Sequence, residues 1–274
     1  MLTLLTLGFA GIAAAGNPAF THIAYQSDGS QPTIDGMYAP GPEWLPSGTQ
    51  TFGTNGIFRD MWIYPEGFSG PGYVYLLIET GDTTDNAGDK WTICFDSADT
   101  MGGEPDGGAT PKTNDYKIEV TGHGASQTIQ WFKGTGTGWN PIATPPTSFA
   151  QMAQSCTVSP KIGVPHWILE CKFDKSDTAT LGTSIVSYTW NFYCSYNDAA
   201  PGGYGLQSWP PASATPPGSP DVPNSWGTVT YEMAVNPTPD VPEAIGLVVM
   251  LAVSSVAVAG AVLIRKRTRI VNLN

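Results

Sequence analysis

Asp82, Asp85, Asn86 and Asp89 lie within one short turn, and Asp96 closes the apolar run that follows it. Oxygen donors at that density are the ligand types of a hard cation such as calcium, which takes about six to eight of them. Lys90 is the only cation in the stretch, so the carboxylates must stay solvated, be held apart or share a metal. The spacing is not that of an EF-hand loop. Other chemistries find less support. Glycoside hydrolysis needs a chosen carboxyl pair, and nothing selects one among the 23 acids. His22, His123 and His166 have no Ser or Cys partner in a nucleophile motif. Gly134-Thr-Gly-Thr-Gly138 leads into Trp139, Asn140 and Pro141 rather than a helix, so it reads as a flexible loop and not a phosphate cradle. The chain is therefore expected to be non-enzymatic.

Cys94, Cys156, Cys171 and Cys194 could form two disulfides in an exported chain, with three connectivities open. If residues 160–165 turn a hairpin, Cys156 and Cys171 fall opposite each other, leaving Cys94 for Cys194. Buried free thiols are the alternative.

Short β-periodic runs must position these residues. They fall at 57–62, 73–80, 90–96, 115–121, 128–133, 155–158, 166–173, 185–196 and 226–234, most alternating apolar and polar residues between Gly, Pro, Asn or Ser. In 90–96, Trp91, Ile93 and Phe95 share one face and Thr92, Cys94 and Asp96 the other. No long amphipathic helix pattern occurs, and 32 glycines, 24 prolines and only 13% charged residues suit many turns and few helices. The expected class is all-β, an antiparallel β-sandwich of jelly-roll type. Long loops at 97–113, 134–150 and 197–225 are the first places to look for a site.

The ends give an address. Residues 2–15 are apolar and close in Ala13-Ala14-Ala15, which reads as a signal peptide over 1–15. A lead-in follows at 16–32, then the sandwich at 33–235 and a Pro-rich stalk at 236–243. Residues 244–264 form an uncharged apolar run, long enough as a helix to cross a bilayer, and a basic tail occupies 265–274. By the positive-inside rule the tail is cytoplasmic and the body lies on the extracellular face of the cell membrane. All 23 acids precede Ala244, while Arg265, Lys266, Arg267 and Arg269 crowd the end. So acidic a body is not expected to bind nucleic acid.

Val241-Pro242-Glu243, the apolar run and the basic tail together resemble the PEF-CTERM sorting signal of archaeal surface proteins. That resemblance implies a sorting enzyme cutting near Pro242-Glu243; an ordinary single-span anchor has the same pattern.

A second resemblance covers about residues 33–232. Ile34-Asp35-Gly36 with Glu43-Trp44, Tyr75-Leu-Leu-Ile-Glu79, Gly88-Asp89-Lys-Trp-Thr-Ile-Cys-Phe-Asp96, Asn114-Asp-Tyr-Lys-Ile-Glu-Val120, Trp167-Ile-Leu-Glu170, Asn191 to Asp198 and Gln207-Ser-Trp-Pro210 are similar to landmarks of family 9 carbohydrate-binding modules and DOMON-like domains. The resemblance implies a β-sandwich, glycan binding between aromatic rings, and calcium supporting the loops. Sugar rings take aromatic faces and side-chain carboxylates or amides. Trp139, Trp209 and Trp131, in or beside long loops, are the candidate platforms, with Asn114 and Asp198 as polar partners. A structural or adhesive envelope protein using the same sandwich is the alternative; less favoured are a glycan-active enzyme and a haem domain with Met61 and His123 or His166 as ligands.

Overall fold

A computed structural model describes residues 16–27, 31–38, 43–44, 47–63, 72–96, 105–145, 147–174 and 189–232. Residues 1–15 and everything beyond 232, including the stalk, apolar run and basic tail, lie outside the described residues. Among the described residues no helix is long and apolar enough to cross a membrane.

The described chain is all-β. Its strands are β1 (Thr21–Gln26), β2 (Gly48–Phe52), β3 (Gly56–Ile63), β4 (Tyr73–Glu79), β5 (Lys90–Asp96), β6 (Asp115–Thr121), β7 (Thr128–Gly134), β8 (Trp139–Ile142), β9 (Ala150–Thr157), β10 (His166–Asp174), β11 (Thr189–Asp198), β12 (Gly205–Trp209) and β13 (Gly227–Glu232). They connect in the order β8-β7-β6-β5-β11-β13-β1-β3-β4-β10-β9, with β12 added to β11 and β2 to β3.

This path folds over itself. Phe95 of β5 meets Phe173 of β10 with ring centroids 6.0 Å apart, and Trp131 of β7 meets the same ring at 6.2 Å. Neither pair of strands is adjacent in the order, so two layers face each other. β1 bridges them. It runs parallel to β13 through Thr21 to Tyr25 and parallel to β3 at Tyr25 and Gln26, so the expectation of purely antiparallel pairing fails there. Strands that switch sheets are how a two-layer fold turns its corner. Thr21–Gln26 thus belongs to the sheet although it falls in the segment read as a lead-in.

The main core is built by alternation, as expected. Trp91, Ile93 and Phe95 of β5, Ile118 and Val120 of β6, Leu169, Cys171 and Phe173 of β10, and Trp190, Phe192 and Tyr196 of β11 all bury into one cluster. The opposite faces are buried as well. Tyr75, Leu77 and Ile168 lie under Tyr38 and Trp44, while Cys94 and Tyr193 lie under Trp226. Glu170 clamps the first cover. Its carboxylate accepts the backbone N–H groups of Asp35 and Gly36, each at 2.9 Å, and the Trp44 indole N–H at 2.8 Å. Gly36 has φ +80°, and a Cβ there would stand 2.4 Å from the Gln154 backbone, so only glycine lets the cover come this close.

β2, β8 and β12 were not legible as strands, and β9 begins earlier than expected. β8 has four residues and carries Pro141 at the sheet edge, where a missing N–H costs nothing. β9, AQMAQSCT, is an edge strand whose residues stay partly exposed, so it lacks an apolar stripe.

The disulfide expectation is corrected: no disulfide joins any of Cys94, Cys156, Cys171 and Cys194. Cys94 stands opposite Tyr193 and Cys194 opposite Ile93, so the two point to opposite faces of one sheet. Cys156 pairs with Trp167 and Cys171 with Met152, about 13 Å apart along the ladder at the usual strand rise. Neither spacing permits a bridge. In native protein only Cys156, which is exposed, should react with a thiol reagent; denaturant should release the other three. Reductant should leave the melting temperature unchanged. Absence of free thiol in unfolded, unreduced protein would contradict this.

Candidate functional site

Antiparallel register places Asp96 of β5 directly opposite Asp115 of β6 on one side and Asn191 of β11 on the other. All three are buried, on the outer face of their layer. Like charges directly opposite one another are destabilising in a sheet, so this pair needs a compensating group. Asp96 Oδ2 accepts the Gly107 N–H at 2.8 Å and the Asn191 amide at 3.1 Å. Asp115 Oδ2 accepts the Lys112 N–H at 2.6 Å, but Asp115 Oδ1 has no partner. Asn114 Nδ2 lies 3.3 Å from Asp96 Oδ1 and 3.2 Å from Asp106 Oδ1. Among the described residues no side-chain cation pairs with Asp96 or Asp115; the Lys112 ammonium is held by Asp106 at 2.8 Å. Burial first, then the neighbouring acids, pushes Asp115 up to about 8, and burial pushes Asp96 up to about 6.

The acidic turn is assembled differently from expectation. Asp82 and Asp89 converge with His123, their ligand-type atoms within 4.8 Å of one another. Asp85 is exposed, and the Asn86 amide donates to Thr84 Oγ1 at 2.8 Å. Asp96 ends β5 about 20 Å farther along at the usual strand rise. The five residues read as one calcium set are therefore not one set. Asp82 and Asp89 also take protein donors. Asp82 accepts the Thr84 N–H at 2.8 Å and the Tyr196 hydroxyl; Asp89 accepts the N–H groups of Asn86 at 2.9 Å and Ala199 at 2.8 Å. His123 Nδ1 meets Gln154 Oε1 at 2.9 Å, its Nε2 faces Asp89 at 3.2 Å, and the ring stacks on Trp167 with centroids 4.0 Å apart. The imidazole ties the acidic turn to β9 and β11.

His166 likewise uses both ring nitrogens, on Val164 O at 2.8 Å and Glu79 Oε2 at 3.1 Å. Burial pushes Glu79 up, yet the His166 hydrogen bond and the Arg59 charge outweigh it and hold the carboxyl below its ordinary value. Neither His123 nor His166 is disposed as a haem ligand; the Met61 side chain lies outside the described residues.

The expected sugar-binding residues scatter. Trp209 is 3% exposed, packed among Phe58, Phe192 and Phe20, with Gly227 against its ring, so it is core and not a platform. Asn114 belongs to the carboxylate row. Asp198 staples its own turn, accepting the N–H groups of Ala200 at 2.9 Å and Tyr204 at 2.7 Å. Trp139 is half-buried, stacked on Trp226 at 6.4 Å with its indole N–H on Asp221 at 2.9 Å. Trp131 is only 1% exposed, but it borders a groove of about 380 Å³.

That groove opens between β7 and β9 and the segment after β8. It is lined by Ile34, Ile129, Trp131, Pro145, Ala150 and Met152, with Thr144, Thr147 and Gln151 as its polar groups. Its size and its apolar walls carrying a few polar groups match a small-ligand site. Thr144 and Thr147 fall in the long loop at 134–150 named as a place to look, but nothing in the sequence singled out them or Gln151, because polar residues in a loop and on an edge strand look like ordinary surface.

The carboxylate row has a pH consequence. A proton shared by Asp96 and Asp115 stabilises the folded state at acid pH; that contribution is lost as pH rises from about 4, where unfolded Asp titrates, through about 6 to 8. In metal-free buffer the melting temperature of wild type should fall from pH 5 to pH 8 relative to Asp115→Asn, by at least about 2–4 °C, the effect of 1 kcal/mol in a domain of this size. Parallel pH profiles for the two proteins would show that the carboxylates share no proton.

No protein-family model matches the chain. No curated protein matches it either. One solved crystal structure is similar, that of a Bacteroides uniformis protein provisionally named carbohydrate-binding. It has 12% sequence identity and a TM-score of 0.43, and the match covers 78% of this chain and 99% of that one.

Proposed function

We propose that this chain is a non-catalytic carbohydrate-binding domain, a β-sandwich of the family 9 or DOMON-like kind, held on the extracellular face of the cell membrane. The groove beside Trp131 carries the reading. A volume of about 380 Å³ suits one or two sugar rings, apolar walls suit their C–H faces, and Thr144, Thr147 and Gln151 suit their hydroxyls. Among the described residues no acid, histidine or cysteine lines it, so it offers contact and hydrogen bonding rather than proton transfer. Anchoring rests on residues 244–264 and the basic tail, with Val241-Pro242-Glu243 as the point where a sorting enzyme would act.

A glycan array probed with the full-length, detergent-solubilised protein tests the binding. Thr147→Ala and Gln151→Ala alter exposed side chains and should each weaken a positive glycan about tenfold without changing the melting temperature, the loss of one hydrogen bond of about 1–1.5 kcal/mol. Trp139→Ala should bind normally. Silence across the array would remove the reading, and loss in Trp139→Ala alone would move the site to the outer face of β7 and β8.

A further inference from the structure

We infer that Asp82, Asp89 and His123 form a site for one zinc ion, with the Tyr196 hydroxyl beside it. The site is independent of the carbohydrate reading. It also differs from the calcium set expected in the acidic turn, because the fold adds an imidazole to two of those carboxylates.

Two separate observations carry it. The first is convergence. Asp82 and Asp89 lie between β4 and β5 and His123 follows β6, yet one ligand atom of each comes within 4.8 Å of the other two, and all three side chains are buried. Two carboxylate oxygens and one imidazole nitrogen are the donor number of an open zinc site, where a fourth position is left for another oxygen. The imidazole also argues against calcium, which takes oxygen ligands.

The second observation lies outside the three residues and fixes where the hydrogens are. Gln154 Nε2 donates to the Gly122 carbonyl at 3.0 Å, so its Oε1 is the atom turned to His123 Nδ1 at 2.9 Å. Nδ1 must then carry the hydrogen of a neutral imidazole. That leaves Nε2 as a buried lone pair, and neither of its neighbours has a hydrogen to give it. Tyr196 Oη, 3.0 Å away, donates its one hydrogen to Asp82, and Asp89 Oδ2, 3.2 Å away, is a carboxylate oxygen. A metal-ligating histidine is held in this way, with its other ring N–H on a protein oxygen. The carboxylates are oriented from outside as well: Asp82 Oδ1 accepts the Thr84 N–H and Asp89 Oδ1 the Ala199 N–H, each at 2.8 Å. Two ionised carboxylates and a neutral imidazole leave two negative charges buried together, which one divalent cation cancels; a proton on Nε2 cancels only one of them.

Calorimetric titration of chelator-treated full-length protein with zinc chloride tests the site. One equivalent should bind, calcium chloride should not compete, and zinc at a hundredfold excess over Kd should raise the melting temperature by about 5–10 °C. Cobalt(II) in place of zinc should give the visible bands of a four-coordinate ion and no thiolate charge-transfer band, which separates this site from adventitious metal on the exposed Cys156. Cys156→Ser and Asp85→Asn, both altered at exposed positions, should bind as wild type does. Asp89→Asn should weaken zinc binding by at least about tenfold; if it does not fold, the cobalt spectra of wild type and Cys156→Ser decide. The site is overturned if wild type binds no zinc, if calcium binds in its place, if Cys156→Ser loses binding, or if Asp89→Asn keeps full affinity.

Discussion

The central strands β4, β5, β10 and β11 are covered on both sides, and most of the chemistry of this fold follows from that constraint. The inner faces meet across the aromatic core of Trp91, Phe95, Trp131, Phe173 and Trp190. The outer faces are capped by the segments carrying Tyr38, Trp44 and Trp226. An outward-pointing side chain in β4, β5, β10 or β11 therefore cannot rely on water. It must be apolar, or it must find a partner inside the protein.

Most polar residues do find one. Glu170 takes three N–H donors from the segment it anchors, and Glu79 is held between Arg59 at 3.4 Å and His166 at 3.1 Å. His123 does the same for Asp82, Asp89 and Tyr196. These networks set the spacing of the loops. The Asp96 and Asp115 row stands apart because its donors fall short of its acceptors. The groove lies beside β8 and β9, the strands at the two ends of the strand path.

Much of the architecture could be read from residue order. Alternation placed the strands at 90–96, 115–121 and 166–173, and in 90–96 it grouped Trp91, Ile93 and Phe95 on the face that buries, because a period of two survives even when the other face is also covered. The motifs around Asp35-Gly36, Trp44 and Glu170 were visible as separate landmarks; their shared cause, one carboxylate receiving three donors, needed the fold. Trp209 misled because a Pro-rich loop follows it, whereas its ring position was decided by β12 pairing with β11. The cysteines misled through register: a shift of one residue moves a side chain to the other face, and local sequence does not encode the shift.

Sequence alone determined the all-β class, the acidic body, the apolar and basic end, and the shared face of Trp91, Ile93 and Phe95, since each depends on composition or on neighbours along the chain. Tertiary structure decided which distant residues share a place. It separated Asp96 from Asp82 and Asp89, joined Asp96 to Asp115, put His123 beside Asp82 and Asp89, and left Trp131 beside open space. The physical reason is that carboxylates, thiols and indoles act over a few ångströms, and only strand pairing brings residues far apart in the chain within that distance.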